Sequence, residues 1–435
     1  MQAMYDLNQG PNLSTAPHGG ITPDDSPAMD EMLQGVTLLT EVAPQPQGLQ
    51  LKTPSGDTLI KQIELFLRAQ WLFRYNVVSN KAEFKLVKEP DAPFAEMRDF
   101  DYNSILRDLK YADLQCSMST LRMILASKFM VEYDPYVEYT TDLPEWDIQT
   151  DYIGQLADTV LTGNQDFWRR AFKKWFVAMA ASWMKPEIVN HTALILSGEQ
   201  GVGKTTWLGN LIPKPLRKYV YAGMVNVRDK DSQVKLSECC IIIMDELENM
   251  SRNLDALKEL ITKRDIHIRR AYSYTHEHYT RRASFAGSIN NKDFLHDITG
   301  NRRFLCFEAK QINYQPFADL DKAYSQAISL TQNGFQYWFS QEEMAELEQN
   351  NEEFRAVIPE EEQLLTFYEP CEESDNEATF MKTTDILKNL LRLSGLRSLS
   401  EQKLGKVLMA HFKRIKRQGR YGYMIKTKTQ GVTNR

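Results

Sequence analysis

Gly198-Glu199-Gln200-Gly201-Val202-Gly203-Lys204-Thr205 is the stretch on which the reading of this chain turns. It matches G-x-x-x-x-G-K-[ST] at every fixed position. The apolar run Ala193-Leu194-Ile195-Leu196 precedes it, and a helical stretch over 204–211, stopped by Pro213, follows. Glycines let a backbone curl until several N–H groups face one point, and the helix behind adds its N-terminal dipole. Such a loop holds phosphate oxygens. The residues expected around a nucleotide are Gly198, Gln200, Gly201, Val202, Gly203, Lys204, Thr205 and Thr206. Lys204 should reach the β- and γ-phosphates, and the Thr205 hydroxyl should sit on Mg2+. ATP and Mg2+ are the cofactors expected.

Further along, Cys240-Ile241-Ile242-Ile243-Met244-Asp245-Glu246 reads as a buried strand ending in two acids. The first acid suits a magnesium ion and its waters, and the second can polarise an attacking water. Ser284-Phe285-Ala286-Gly287-Ser288-Ile289-Asn290-Asn291 is another such run. The Asn290 amide can orient the lytic water. In Gly300-Asn301-Arg302-Arg303-Phe304 an arginine can reach a phosphate across a subunit boundary. Apolar runs at 192–197, 239–244, 283–289 and 303–308 alternate with helical patterns, which is the signature of an α/β fold with a parallel sheet.

The order of these motifs resembles the virulence-associated protein E family, which is similar to superfamily III helicases within the AAA+ ATPases. Leu257-Lys258-Glu259-Leu260-Ile261-Thr262, Arg269-Arg270-Ala271-Tyr272 and Asp297-Ile298-Thr299-Gly300-Asn301-Arg302-Arg303-Phe304 carry the resemblance most specifically. It is strongest over about 190–310 and extends weakly from about Tyr75, through Leu143–Asp147 and 175–181. The resemblance implies that Lys204 and Thr205 form Walker A and that Asp245 and Glu246 form Walker B. It makes Asn290 sensor 1, and Arg302 or Arg303 the finger of a homo-oligomer, a hexamer. Members are associated with the replication of phages, plasmids and islands, often with a primase domain ahead of the ATPase. Here the first 55 residues are too short and polar for one, so priming would fall to a separate primase chain. Asp99-Phe100-Asp101 is a lone D-x-D and is assigned to a loop.

The remaining organisation follows from composition. The chain has 435 residues, 42% hydrophobic and 25% charged, which is the globular range. Residues 1–55, rich in Gly, Pro, Ser, Asn and Gln, read as a disordered leader or linker. A small mixed α+β domain is expected over 56–150, with a helix over 59–75 and a hairpin turning at Ser79-Asn80. The AAA+ P-loop ATPase domain with a helical lead-in is expected over 151–335. An acidic connector follows over 336–378; 340–377 hold 14 acids against one base, Arg355. A basic winged-helix-like domain closes the chain over 379–435, with ten Lys or Arg and no acid in 402–435. Five cysteines without C-x-x-C spacing argue against a disulfide framework or zinc finger and for a reducing cytoplasm. No apolar run reaches the ~18 residues of a membrane span.

Net charge is −6, so a uniformly basic nucleic-acid coat is excluded. Basic residues are nonetheless concentrated. Lys263, Arg264, Arg269, Arg270, Arg281 and Arg282 interleave with Tyr272, Tyr274 and Tyr279, and with His276 and His278, in a predicted hairpin. Cations can follow a phosphate backbone and tyrosines can stack on bases. Lys413, Arg414, Lys416, Arg417 and Arg420 supply a second set, expected to give salt-dependent, weakly specific contacts. The function expected is an ATP-dependent helicase or translocase on single-stranded or forked DNA, in replication of a phage or mobile element. The alternatives are an ATP-switched DNA-binding initiator or a defence-associated NTPase without unwinding, and a remodeller of other proteins. A basic tail lying on the acidic stretch is the rival to DNA contact at the C-terminus.

Overall fold

A computed structural model describes residues 58–185, 187–223, 225, 229–245, 247, 254–268, 277–295 and 300–428. The expected leader over 1–55 lies outside them, as do Glu246, Arg269, Arg270, Tyr272, Tyr274 and His276. By contacts the chain divides into Met1–Gln62 and Ile63–Arg435, and the second unit holds everything that follows.

Its centre is a sheet of β1 (Ala193–Ser197), β2 (Val220–Ala222), β3 (Ile241–Met244), β4 (Ser284–Ile289) and β5 (Phe304–Glu308). The order is β5-β1-β4-β3-β2, and every pair is parallel. The chain thus adopts the α/β class expected. A parallel sheet is covered on both faces, which is why its strands read as unbroken apolar runs. Leu194, Leu196, Ile241, Ile243, Leu305 and Phe307 enter one core, while Ala193, Ile195, Ile242, Met244, Phe304 and Cys306 enter the other. Helix Gln165–Met184 closes the first core with the buried rings of Trp168, Phe172, Trp175, Phe176 and Trp183. It starts where the Asn164 side chain accepts from the Phe167 amide at 3.2 Å. Even Lys174 on this helix is buried, its Nζ donating to the carbonyls of Gln336 and Trp338 and pairing with Glu343 at 3.1 Å. Helix Leu254–Thr262 covers the other face.

Ahead of the sheet lies a smaller four-stranded one, ordered Ala95–Glu96, Lys81–Leu86, Trp71–Asn76, Val131–Tyr133. The helix expected over 59–75 ends at Gln70, because Trp71–Asn76 pairs antiparallel with Lys81–Leu86 instead. The expected turn is present, with Asn80 at φ 53°. Asp99 and Asp101, assigned to a loop by sequence, open helix Asp99–Tyr111. There the Asp101 carboxylate accepts the Arg98 amide at 2.9 Å, and acids suit a helix N-terminus. Buried Glu83 ties this part to the central sheet's approach, pairing with Arg74 at 2.7 Å and Lys218 at 2.8 Å. Burial alone would raise its pKa, but hydrogen bonds from Lys218, Asn76 and Arg74 outweigh that and hold it below the usual carboxylate range.

The expected acidic connector over 336–378 is instead helical over much of its length. Helix Gln341–Asn351 starts with a capping box of Ser340 and Glu343. It lies on β5, where the Asn350 and Asn351 side-chain amides donate to the carbonyls of Cys306 at 2.7 Å and Phe304 at 2.9 Å. Helix Pro359–Phe367 belongs to the C-terminal unit, whose core runs from Ile358 through Leu364, Ile386, Leu390, Leu404, Leu408 and Ile425. That core begins well before residue 379. Two of the acids face inward: Glu360 accepts the Ser400 amide at 2.7 Å, and Glu361 contacts His411 at 2.6 Å. Charge counting missed this because the acids flank apolar residues that pack. Helices Thr383–Ser394 and Glu401–His411 then lead into the hairpin Arg414–Arg417 and Arg420–Thr427. Its turn has Gln418 at φ 47° and Gly419 at φ 76°, the paired positive values of a tight hairpin turn.

Two of the basic residues assigned by sequence to DNA contact are structural. Arg281 is buried, and its guanidinium donates to the carbonyls of Lys263 at 2.8 Å, Asn190 at 2.8 Å, Ile261 at 2.6 Å, and Ala283. Burial pushes its pKa down to about 9, which still leaves it charged at neutral pH. Arg282 pairs with Asp134 at 2.8 Å. Tyr279 is also engaged, its hydroxyl accepting from Asn80 Nδ2 at 2.5 Å. At ~1–3 kcal/mol per buried group left without a partner, Arg281→Met should lower the unfolding free energy by about 3 kcal/mol or more. Urea titration checks this, and Lys263→Ala should change stability by less than ~1 kcal/mol in the same assay.

Candidate nucleotide site

The loop after β1 is built by its glycines. Gly198, Gly201 and Gly203 take φ values of 150°, 86° and 95°. Gly198 also passes against the chain leaving β5, where a Cβ would lie 2.8 Å from the Ala309 carbonyl oxygen. At Gly203 a Cβ would lie 2.4 Å from the Tyr314 ring. Gln200 is exposed, and Val202 packs against the first core. Helix Lys204–Asn210 follows, with Trp207 and Leu208 buried and Thr206 exposed.

Lys204 is buried with its ammonium inside the loop. Nζ donates to the carbonyls of Gly198 at 2.7 Å and Glu199 at 2.9 Å, and to Asn290 Oδ1 at 3.3 Å. Thr205 Oγ1 donates to Asp245 Oδ1 at 3.1 Å and lies 3.4 Å from Ser288 Oγ, which itself donates to the same carboxylate oxygen. The sheet order explains this convergence. β4 lies between β1 and β3, with Ile289 opposite Ser197 and Gly287 opposite Met244. Asn290 and Asp245, each one residue past its strand, therefore end beside the loop. Gly287 allows the close fit of β3 to β4, since a Cβ there would lie 2.3 Å from Leu247 Cδ1 and 2.8 Å from the Met244 oxygen. The crevice at the carboxyl ends of parallel strands is where open α/β sheets bind ligands.

Thr205 and Asp245 fit a magnesium ion. Together they offer one hydroxyl and one carboxylate oxygen at adjacent positions, and such an ion takes few protein ligands and completes its shell from phosphates and water. Ser288 was missed by motif reading. Period-2 alternation puts it on the same face as Asn290 and was the available signal.

The arginines lie elsewhere. Arg302 is exposed and Arg303 half-buried, both just before β5, where Phe304 pairs with Ala193 at the start of β1. The glycine-rich loop follows the other end of β1. At ~3.3 Å per residue the strand separates them by about 13 Å or more. They line a cavity of about 240 Å³ with His191, Tyr337, Trp338 and Phe339. Burial, together with Arg281 and Arg303, holds the His191 pKa below its usual value.

The described ends of the basic hairpin are strands Asp265–Ile268 and Glu277–Thr280, paired antiparallel. Lys263 is half-buried and Arg264 exposed at its base. In the C-terminal unit Lys413, Arg414, Lys416, Arg417 and Arg420 are all exposed. Arg414 and Lys416 flank the Tyr421 ring at 4.3 and 5.5 Å from its centroid. Among the described residues, ion pairs join this tail to the acidic stretch at Arg417–Glu373 (4.0 Å), Lys426–Asp375 (3.7 Å) and Lys426–Glu377 (2.7 Å).

No curated protein matches the chain. Among solved structures, it is similar to the A form apo structure of the NrS-1 C-terminal region, at 11% identity and TM-score 0.45, over 86% of this chain and 100% of that one. A second apo structure of the NrS-1 C-terminal region, residues 305–718, gives the same values. Residues 141–356, which contain all five central strands and the glycine-rich loop after β1, match the model of the Virulence-associated protein E-like domain, and the match supports that family.

Proposed function

We propose that this chain is an AAA+ ATPase of superfamily III helicase type, which moves on single-stranded or forked DNA during replication of a mobile element. One observation carries the reading. The Lys204 ammonium and the Thr205 hydroxyl meet a carboxylate from β3 and an amide from β4 at the carboxyl end of one parallel sheet. That is the equipment of phosphoryl transfer, in which positioning and charge stabilisation do most of the catalysis. Backbone N–H groups of the loop would hold the phosphates. Lys204 would exchange its carbonyl partners for β- and γ-oxygens. Magnesium at Thr205 and Asp245 would neutralise charge developing on those oxygens. Asn290 would orient the attacking water, and Glu246, the residue after Asp245, would take its proton. The match to the Virulence-associated protein E-like domain supports the same reading.

Arg302 and Arg303 sit at the opposite end of the sheet from the phosphate loop of their own chain. Either arginine would then act on the γ-phosphate of a neighbouring copy, as a ring such as a hexamer provides. The winged-helix-like unit, with its exposed cations and Tyr421, would bind a phosphate backbone in a salt-dependent way. It has a core of its own, which also suits an ATP-switched initiator that binds DNA without unwinding it.

Lys204→Ala should abolish hydrolysis, and Glu246→Gln should bind ATP without cleaving it; normal turnover by the latter removes Glu246 as the base. Arginine fingers are worth ~10³–10⁵ in turnover. Protein carrying Arg302→Ala and Arg303→Ala should therefore be nearly inactive, as should Lys204→Ala protein. Mixing the two should restore hydrolysis, because each supplies what the other lacks. Failure of the mixture to recover would contradict a site shared between copies.

A further inference from the structure

We infer that Tyr314 is the stacking platform for the nucleotide's base; the inference rests on the nucleotide-site reading above and extends it from the phosphates to the nucleoside. The segment that carries Tyr314 is fixed against the phosphate loop along its length. The Ala309 amide donates to the Ser197 carbonyl at 2.8 Å, one residue before the loop begins. Gln311–Ile312 pairs with Val160–Leu161, and the Asn313 amide donates to the Thr159 carbonyl at 2.8 Å. Thr159 in turn accepts from Trp207 Nε1, on the helix that follows the loop, at 2.7 Å. The Tyr314 carbonyl accepts from Asn210 Nδ2, at the end of that same helix, at 2.9 Å.

These anchors press the ring onto Gly203, the residue before Lys204. A Cβ there would fall 2.4 Å from Cδ1 and 2.8 Å from Cγ, so only glycine admits the ring at this spot. Yet the side chain is not a core residue. Tyr314 is 44% exposed, whereas the aromatic rings of the neighbouring core are buried. An apolar surface kept in water beside a phosphate cradle is unfavourable until something flat covers it. A nucleotide whose phosphates fill the loop carries such a group, tethered within reach of the loop's flank. Stacking accepts any base, because every base has a π-face. Tyr314 therefore contributes affinity for the nucleoside without choosing among bases.

The test separates base from phosphate. Binding of ATP and of inorganic tripolyphosphate would be measured by calorimetry on the full chain and on three variants. Losing one base–aromatic stack predicts about 10-fold or more weaker ATP binding for Tyr314→Ala, with tripolyphosphate binding within about 2-fold of wild type. Tyr314→Leu, which keeps an apolar contact on Gly203 but has no π-face, should lose ATP affinity likewise. Tyr314→Phe should stay within about 3-fold of wild type for both. Equal loss of both ligands in Tyr314→Leu would show a prop for the loop and overturn the platform. So would unchanged ATP affinity. Wild-type protein that bound neither ligand would overturn the nucleotide site itself, a result distinct from either.

Discussion

The candidate site depends on β1 leaving its sheet at a glycine. At Gly198 the chain turns flush against the Ala309 carbonyl, with no room for a Cβ. That turn starts the loop back over the strand end and lets Lys204 place a buried ammonium between two loop carbonyls and Asn290. A bulkier residue would lift the loop off the chain leaving β5 and break this convergence. The rest follows from strand order. With β4 between β1 and β3, Asp245 and Asn290 arrive beside the loop from two adjacent strand ends without a long loop.

The sheet also has a polarity that organises the molecule. Its carboxyl end gathers the glycine-rich loop, Thr205, Asp245, Ser288 and Asn290. Its amino end gathers Arg302 and Arg303, and the Arg281 guanidinium with its four carbonyl partners. Arg281 binds the base of the basic hairpin, through the Ile261 and Lys263 carbonyls, to the entry of β4. Asn290 follows the far end of that strand. The base of the hairpin and the Asn290 amide therefore sit at the two ends of one buried strand.

The fold was legible where one local rule dominated. The phosphate loop is specified by its glycines and lysine, and the strands by continuous apolar runs that only a doubly covered sheet requires. Helix Gln165–Met184, which lies in the expected helical lead-in, has an N-cap and a run without breakers. Legibility failed where tertiary contacts decide. The apolar stripe of the first helix continues past Gln70, but pairing with Lys81–Leu86 takes the following residues into a strand. Arg281 looks like any surface arginine, since only the folded chain brings four carbonyls around it. The acidic stretch carried a Ser340–Glu343 capping box and a proline at Pro359, both helix-start signals, yet its charge suggested an open connector. Tyr314 belongs to no motif, and its place on Gly203 follows from the strand pairing before it.

The central claim is that Lys204, Thr205, Asp245 and Asn290 form a nucleotide-hydrolysing site coupled to DNA. The most direct measurement is the rate of ATP hydrolysis in magnesium, with and without single-stranded DNA, across protein concentration and salt. The account predicts magnesium-dependent hydrolysis that rises cooperatively with protein and is stimulated by DNA, with the stimulation fading as salt increases. No hydrolysis at any concentration would contradict the site, and hydrolysis indifferent to DNA would contradict the coupling.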